Sequence, residues 1–453
     1  MSSDLLDLNR SAWGARALRR CVTPHWHSGL PNVPGRVSPG HPAMTPSRRD
    51  VVKALGAGTA LAVSSAGRAL SQTMKTIVFG GSIPMSGKEG NTGLNVLQGY
   101  KVAIQYINEK LGGAKIGDET YKLDLQMFDD ASDPQRAVTL IQKQVDGGID
   151  FFLGSFSSAI VLPTGAITER AKKPMVQAGG GSDQIFTSKF HYMFGMFPRA
   201  SRQLASLVAM MQSMNGQVKT CSLVATNDPY SKAQADGALS LLKAAGIEVL
   251  DVFRLPPTAT DVSGIVNDVR ARTPDALICN THEQDSALIT QQLSSTGVDV
   301  KLLFLALGPE EPSFRSNLGK YADGLTFIQY WQPSFKWSDP FFGSSANYYR
   351  YYKSVTDRKE SYQTVAASAC ILSYVKAMQD TKSINPEGVR NALAALDYES
   401  IYGHIKFTPD GDGDPVLMGP AIGQVKGGDV QIVFPEKIAT ARLEFPIKPW
   451  SQR

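Results

Sequence analysis

The stretch Thr220-Cys221-Ser222-Leu223-Val224-Ala225-Thr226-Asn227-Asp228-Pro229-Tyr230 decides the fold. A short apolar run is bounded by an Asn-Asp-Pro turn, and a helical stretch, Tyr230–Ala245, follows. This reads as strand, turn, helix. The same unit recurs downstream, with strands predicted at Val249–Leu255, Ala276–Asn280 and Leu302–Leu307 and helices at Asp261–Arg272 and Glu283–Ser295. Upstream, strands are predicted at Thr76–Ile83, Leu123–Phe128, Phe151–Gly154 and Pro174–Ala178. Helices lie between them at about Leu94–Leu111, Pro134–Gly147 and Ala159–Lys172. In the first of these helices Val96, Tyr100, Ala103, Ile104 and Ile107 share one face. Asp133-Pro134 supplies an N-cap and a first-turn proline to the second. The pattern pauses at His191–Pro198, so the units fall into two sets. Strand–helix alternation implies parallel sheets covered on both faces. The fold class is therefore α/β, with two doubly wound parallel-sheet lobes.

The end of the chain breaks the alternation. Ser345–Thr356, Tyr362–Thr381 and Pro386–Leu396 read as three helices without intervening strands. Ile405–Phe407 and Ala421–Val425 read as a hairpin, and Val430–Phe434 as a third short strand. Such a tail fits a chain that returns to complete both lobes. The expected organisation is 76–196 plus 331–402 for lobe one, 197–330 plus 403–435 for lobe two, and 436–453 as a C-terminal tail. Crossings near Met196–Arg199, Tyr330–Gln332 and Tyr402–His404 would form a three-segment hinge.

The 453 residues carry a formal net charge of +5, and that excess is local. Residues 1–71 hold nine basic and three acidic side chains, which leaves the remainder at −1. The basicity therefore marks no nucleic-acid surface. Ser47-Arg48-Arg49-Asp50-Val51-Val52-Lys53 is a twin-arginine pattern, followed by the small-residue apolar run Ala54–Ala66 and candidate cleavage positions Ala66, Ala69 and Ser71. Residues 44–71 thus read as an export signal, and no cysteine follows it to take a lipid anchor. Residues 1–43 lack hydrophobic period, and Met44 is the expected start, with 1–43 a non-native extension.

Catalytic signatures are absent from the sequence. There is no phosphate-binding G-x-x-x-x-G-K-[ST], no G-x-G-x-x-G after a strand, no G-x-S-x-G and no H-x-x-x-H, so no cofactor or metal is expected. Asp410, Asp412 and Asp414 alternate as in a calcium loop, but Pro415 and Ala421 stand where that loop needs Gly and Glu. Cys221 and Cys279 are expected to be free thiols, because they should not lie level on neighbouring strands. Two α/β lobes without a catalytic constellation point to binding across a cleft, at the carboxyl ends of the strands.

The motifs resemble those of a known family. They are Pro84-Met85-Ser86-Gly87 with Gly93, Gly99 and Ile107-Asn108; Asp129-Asp130 with Asp133-Pro134 and Ala137; Gly154-Ser155-Phe156-Ser157-Ser158; Asn227-Asp228-Pro229-Tyr230; and Gly308-Pro309-Glu310. In this order, over about Thr76–Phe434, the chain resembles the extracytoplasmic solute-binding proteins of ABC importers, of the leucine/isoleucine/valine-binding type. The resemblance implies the type I periplasmic-binding-protein fold, a periplasmic location, a membrane permease as partner and no enzymatic activity; a monomer is expected. It implies that Ser158 and the backbone of Gly179, Gly181 and Ser182 meet a ligand carboxylate, that Tyr230 and Thr281 close from lobe two, and that Glu310 pairs with a ligand ammonium. Departures are Thr92 and Thr281, where aromatic rings are usual; Phe156 and Trp331 would supply aromatic surface instead, or pack the core and hinge. The ligand is then an amino acid, an amide or an aromatic carboxylate. An exported ligand-sensing domain using the same cleft is the alternative.

Overall fold

The computed structural model describes residues 74–453. The export signal and the 1–43 extension lie outside the described residues. The first half of the described chain runs β1 (Lys75–Ile83), α1 (Gly90–Lys110), β2 (Ala114–Ile116), β3 (Glu119–Asp129), α2 (Pro134–Asp146), β4 (Phe151–Leu153), α3 (Ser158–Arg170), β5 (Met175–Gln177), α4 (Asp183–Thr187) and β6 (Met193–Gly195). Its sheet has the order β2-β3-β1-β4-β5-β6, parallel except for the β2–β3 hairpin. Asp133 accepts from the N–H groups of Gln135 and Arg136, as the Asp-Pro start of α2 implied.

The second half begins with α5 (Ala205–Ser213), β7 (Thr220–Thr226), α6 (Pro229–Ala244), β8 (Glu248–Leu255) and α7 (Ser263–Arg272). It continues with β9 (Ala276–Asn280), α8 (Glu283–Thr296), β10 (Leu302–Leu305), α9 (Pro312–Leu318) and β11 (Thr326–Gln329). The chain then gives α10 (Ser345–Val355), α11 (Tyr362–Thr381) and α12 (Pro386–Ala394), and ends with β12 (Asp397–Ser400), β13 (Gly403–Lys406), β14 (Ala421–Lys426) and β15 (Asp429–Phe434). The second sheet has the order β15-β14-β11-β10-β9-β7-β8, parallel except for β14, which runs antiparallel to both its neighbours β11 and β15. Each lobe is thus a sheet sandwiched between helices.

Packing explains the return of the chain. Helix α11 is buried along nearly its whole length and lies against α1. Gly99 makes that approach possible, since a Cβ there would stand 2.0 Å from the Thr364 carbonyl oxygen. On the other face of the first sheet, Ile141, Phe152, Val161, Met175, Phe186 and Met193 close a separate core. The C-terminal residues finish lobe two: the Trp450 indole donates to the Val298 carbonyl at 2.8 Å, and the ring joins that lobe's core.

Two expectations fail locally. The predicted Ile405–Phe407/Ala421–Val425 hairpin does not form: β13 pairs with β12, and β14 pairs with β15 and β11. The two-residue link Ile401–Tyr402 makes the tighter turn, while the Asp-rich segment after Phe407 serves another end. Its Asp410 and Asp412 carboxylates grip the Arg199 guanidinium at 2.8 and 2.9 Å. The pause at His191–Pro198 also hides a strand, β6, at the sheet edge. Cys221, Cys279 and Cys370 are free and buried; the β7–β9 register sets Cys279 opposite Val224 rather than Cys221.

Candidate ligand-binding cleft

The chain passes between the sheets three times, between β6 and α5, between β11 and α10, and between α12 and β14. The first and last passages are tied by Arg199, whose backbone N–H and Nε both bond Asp412. The second and last are tied by Trp331, whose Nε1 donates to the Ile401 carbonyl at 2.9 Å. Each passage contributes a ring to one cluster. Phe197 lies 5.0 Å from Tyr330 and 6.2 Å from Tyr402, and Tyr362 at the start of α11 lies 5.1 Å from Tyr330.

This cluster floors a cavity between the carboxyl ends of the two sheets. Its walls are Phe156, Gly179 and Gly181 from the loops after β4 and β5, and Tyr230, His282 and Leu307 from those after β7, β9 and β10, with Phe197, Gln203, Tyr330, Tyr362 and Gln363 completing it. The space they bound is narrow, with a cavity volume of about 20 Å³.

The glycine loop of the lobe-one wall is internally satisfied. Gln177 Oε1 accepts from the N–H groups of Gly179 and Gly180, and Ser158 Oγ accepts from those of Gly181 and Ser182, both at 3.0 Å. The Gly179, Gly181 and Ser182 N–H groups expected to meet a ligand carboxylate are therefore engaged. The preceding loop is held by Tyr100, which donates to the Gly154 carbonyl, and by Ser155, which donates to buried Asp130.

The opposite wall is less satisfied. Tyr230 donates to Gln203 Oε1 at 2.9 Å and accepts from Gln234; burial and nearby carboxylates push its hydroxyl pKa up. His282, 4% exposed, packs edge-on to Phe156 and beside Tyr230. Its Nε2 lies 3.4 Å from Asp228 Oδ1, the carboxylate that caps α6. Burial opposes a charge on the ring, but Asp228 outweighs it and raises the imidazolium pKa to about 9. Asp228 is held at about 2, its burial overcome by the imidazolium and its hydrogen bonds. Three side-chain atoms of the lining residues have no hydrogen-bond partner among the described residues: His282 Nδ1, the Tyr330 hydroxyl and Gln363 Oε1.

Of the ten expected site residues, Phe156, Gly179, Gly181 and Tyr230 line this cavity. Ser158 stands behind the glycine loop, and Ser182 caps α4 at the cleft's outer side. Thr281 bonds Ser286 at 2.8 Å. Glu310 and Trp331 line a separate cleft of about 440 Å³ beyond the hinge, and Glu310 Oε2 accepts from the Gly308 N–H. Thr92 belongs to a contact line across the cleft mouth. There Lys88 bonds Asp285 and the Pro257 carbonyl, Asn91 and Thr92 reach Glu283, and Asn95 donates to Glu311 at 2.6 Å. Burial, then neighbouring Glu283, raises the Glu311 carboxyl to about 8. Burial and Glu311 likewise drive Glu310 well up. Sequence reasoning missed His282, Gln203, Leu307, Tyr362 and Gln363, and gave Phe197 and Tyr330 only a place in the hinge. The available signal was position: His282 directly follows Thr281, and Tyr362 opens a helix at a lobe crossing.

Two α/β sheets facing across a three-strand hinge, with the cavity at their carboxyl ends, define a periplasmic binding protein. The profile of the family described as "periplasmic binding protein" matches residues 76–429, and the chain belongs to that family. This is a family of substrate-binding proteins for transporters, not of enzymes, and its members work in the periplasm. No helix among the described residues is long and apolar enough to cross a membrane. Among relatives, a Leu/Ile/Val-binding protein homologue from Brucella suis is 22% identical over 86% of this chain and 98% of its own. A leucine-binding protein from Thermotoga maritima superposes with a TM-score of 0.70 at 18% identity, over 79% of this chain and 97% of that one. A branched-chain amino acid transporter substrate-binding protein from Streptococcus pneumoniae, solved with isoleucine, gives 0.68 at 18% identity, over 79% and 98%.

Proposed function

We propose that the protein is the substrate-binding component of an ABC importer, trapping an amino acid or a related small carboxylate or amide between its lobes and delivering it to a membrane permease. The observation that carries this is the enclosed cavity at the facing strand ends, where three buried polar atoms lack protein partners. The relatives named above are transport or amino-acid-binding proteins, which favours this role over a regulatory one. In this reading the protein acts as a monomer, leaves the cytoplasm on the Ser47–Lys53 twin-arginine signal and carries no lipid anchor. Lobe one comprises about 76–196 and 331–402, and lobe two about 197–330 and 403–435. Phe156, Gly179, Gly181 and Tyr230 touch the ligand; Ser158 and Ser182 shape the glycine loop, and Thr92, Thr281, Glu310 and Trp331 act from the rim and hinge. A thermal-shift screen against amino acids, amides and small carboxylic acids tests the reading, because a ligand bound only by the folded state raises the unfolding midpoint. No shift with any of them would overturn it.

A further inference from the structure

We infer that the trapped ligand is a compact monocarboxylate with an aromatic or branched apolar body and no α-ammonium group, its carboxylate held by His282; this rests on the ligand-trap reading above. His282 lines the cavity and is 4% exposed, with Nδ1 unpartnered. Its ring is fixed between Phe156 and Tyr230, with Nε2 against Asp228. Asp228 is itself fixed by the N–H groups of Tyr230 and Ser231. A buried aspartate against one nitrogen favours the imidazolium, and the second N–H then needs an acceptor, best an anionic one. The Tyr330 hydroxyl supplies another unpartnered donor on the same cavity. Lobe one offers little competition, since the Gly179–Ser182 N–H groups are already bonded.

An ammonium finds no carboxylate on the cavity lining itself; the carboxyls that act on its Tyr230 and Tyr362, Glu310 and Asp228, stand behind it, and Asp228 already faces His282. No Asp or Glu is among the cavity-lining residues, and their unpartnered side-chain acceptor is the uncharged amide of Gln363. Glu310 lines the cleft beyond the hinge and already accepts from Gly308. Its burial beside Glu311 favours the neutral carboxyl. The remaining lining is dominated by rings and Leu307, suited to an apolar body.

Calorimetric titration of the purified protein tests this with matched series: 4-methylpentanoate, leucine and 4-methylpentanamide, then 3-phenylpropanoate and phenylalanine. The acids should bind about tenfold or more tighter than the amino acids and the amide. His282→Asn should remove at least that advantage. Tyr330→Phe, which leaves the Asp228 contact untouched, should weaken the acids by about threefold to tenfold. Leucine or phenylalanine binding more tightly than its deamino analogue overturns the inference while leaving the ligand trap standing. Acid affinities unchanged in both variants do the same. If neither the acids nor any compound of the thermal screen binds, both readings fall.

Discussion

The two walls of the cleft are built on opposite plans. The glycine loop of lobe one presents backbone whose N–H groups are closed off by Gln177 and Ser158, and only Gln363 on α11 leaves a polar atom open on that side. Lobe two and the hinge present large side chains, and there His282 and Tyr330 hold polar atoms with no partner. The first wall spends its hydrogen bonds on its own shape; the second keeps them for something else. Changes in lobe one should therefore cost stability, and changes opposite should cost binding.

The largest expected effect is Gly179→Ala, where the new Cβ would stand 1.9 Å from the Ser155 carbonyl oxygen. Overpacking against backbone should remove about 3 kcal/mol in denaturant unfolding. Intact stability with lost binding would break the comparison. Ser158→Ala strands the buried N–H groups of Gly181 and Ser182 and should cost about 2 kcal/mol by the same measurement.

Next comes pH. The folded pKa of His282 (about 9) lies above its unfolded value, and so does that of Glu311 (about 8). The native state then holds more protons than the unfolded chain, from about pH 4.5 for Glu311 and pH 6.5 for His282 up to the folded values. Stability should be full below those unfolded values and fall as pH rises to 9. The loss should be at least about 1.4 kcal/mol, one pKa unit's worth, read as a declining thermal midpoint. Asp228 and Glu89 favour the charged ring and Lys88 opposes it. A flat midpoint from pH 6.5 to 9 would place His282 outside this balance. The smallest effect is on the second wall: Tyr330→Phe removes a hydroxyl without a protein partner, so unfolding should shift by less than about 0.5 kcal/mol.

The same contrast separates what the sequence disclosed from what it hid. Strands β7 and β9 were legible to the residue because buried apolar runs between turns have one reading. β6 was hidden because three residues carry no period, and β12, the partner of β13, because it is polar and abuts a helix. In the cleft, glycines and Tyr230 were marked by motif. His282 was not, because its meaning comes from Asp228, brought beside it only by the β7–β9 pairing. Glu310 looked like a ligand residue in sequence, yet its carboxylate turns back to its own loop.

The ring cluster under the cavity has a kinetic consequence. Phe197, Tyr330 and Tyr402 come one from each interlobe passage, and each touches the other two. With Arg199–Asp412 and Trp331–Ile401 cross-linking the same passages, no single strand can pivot alone. Opening and closing should then be one concerted step, a single exponential in stopped-flow tyrosine and tryptophan emission rather than a staircase of partial bends.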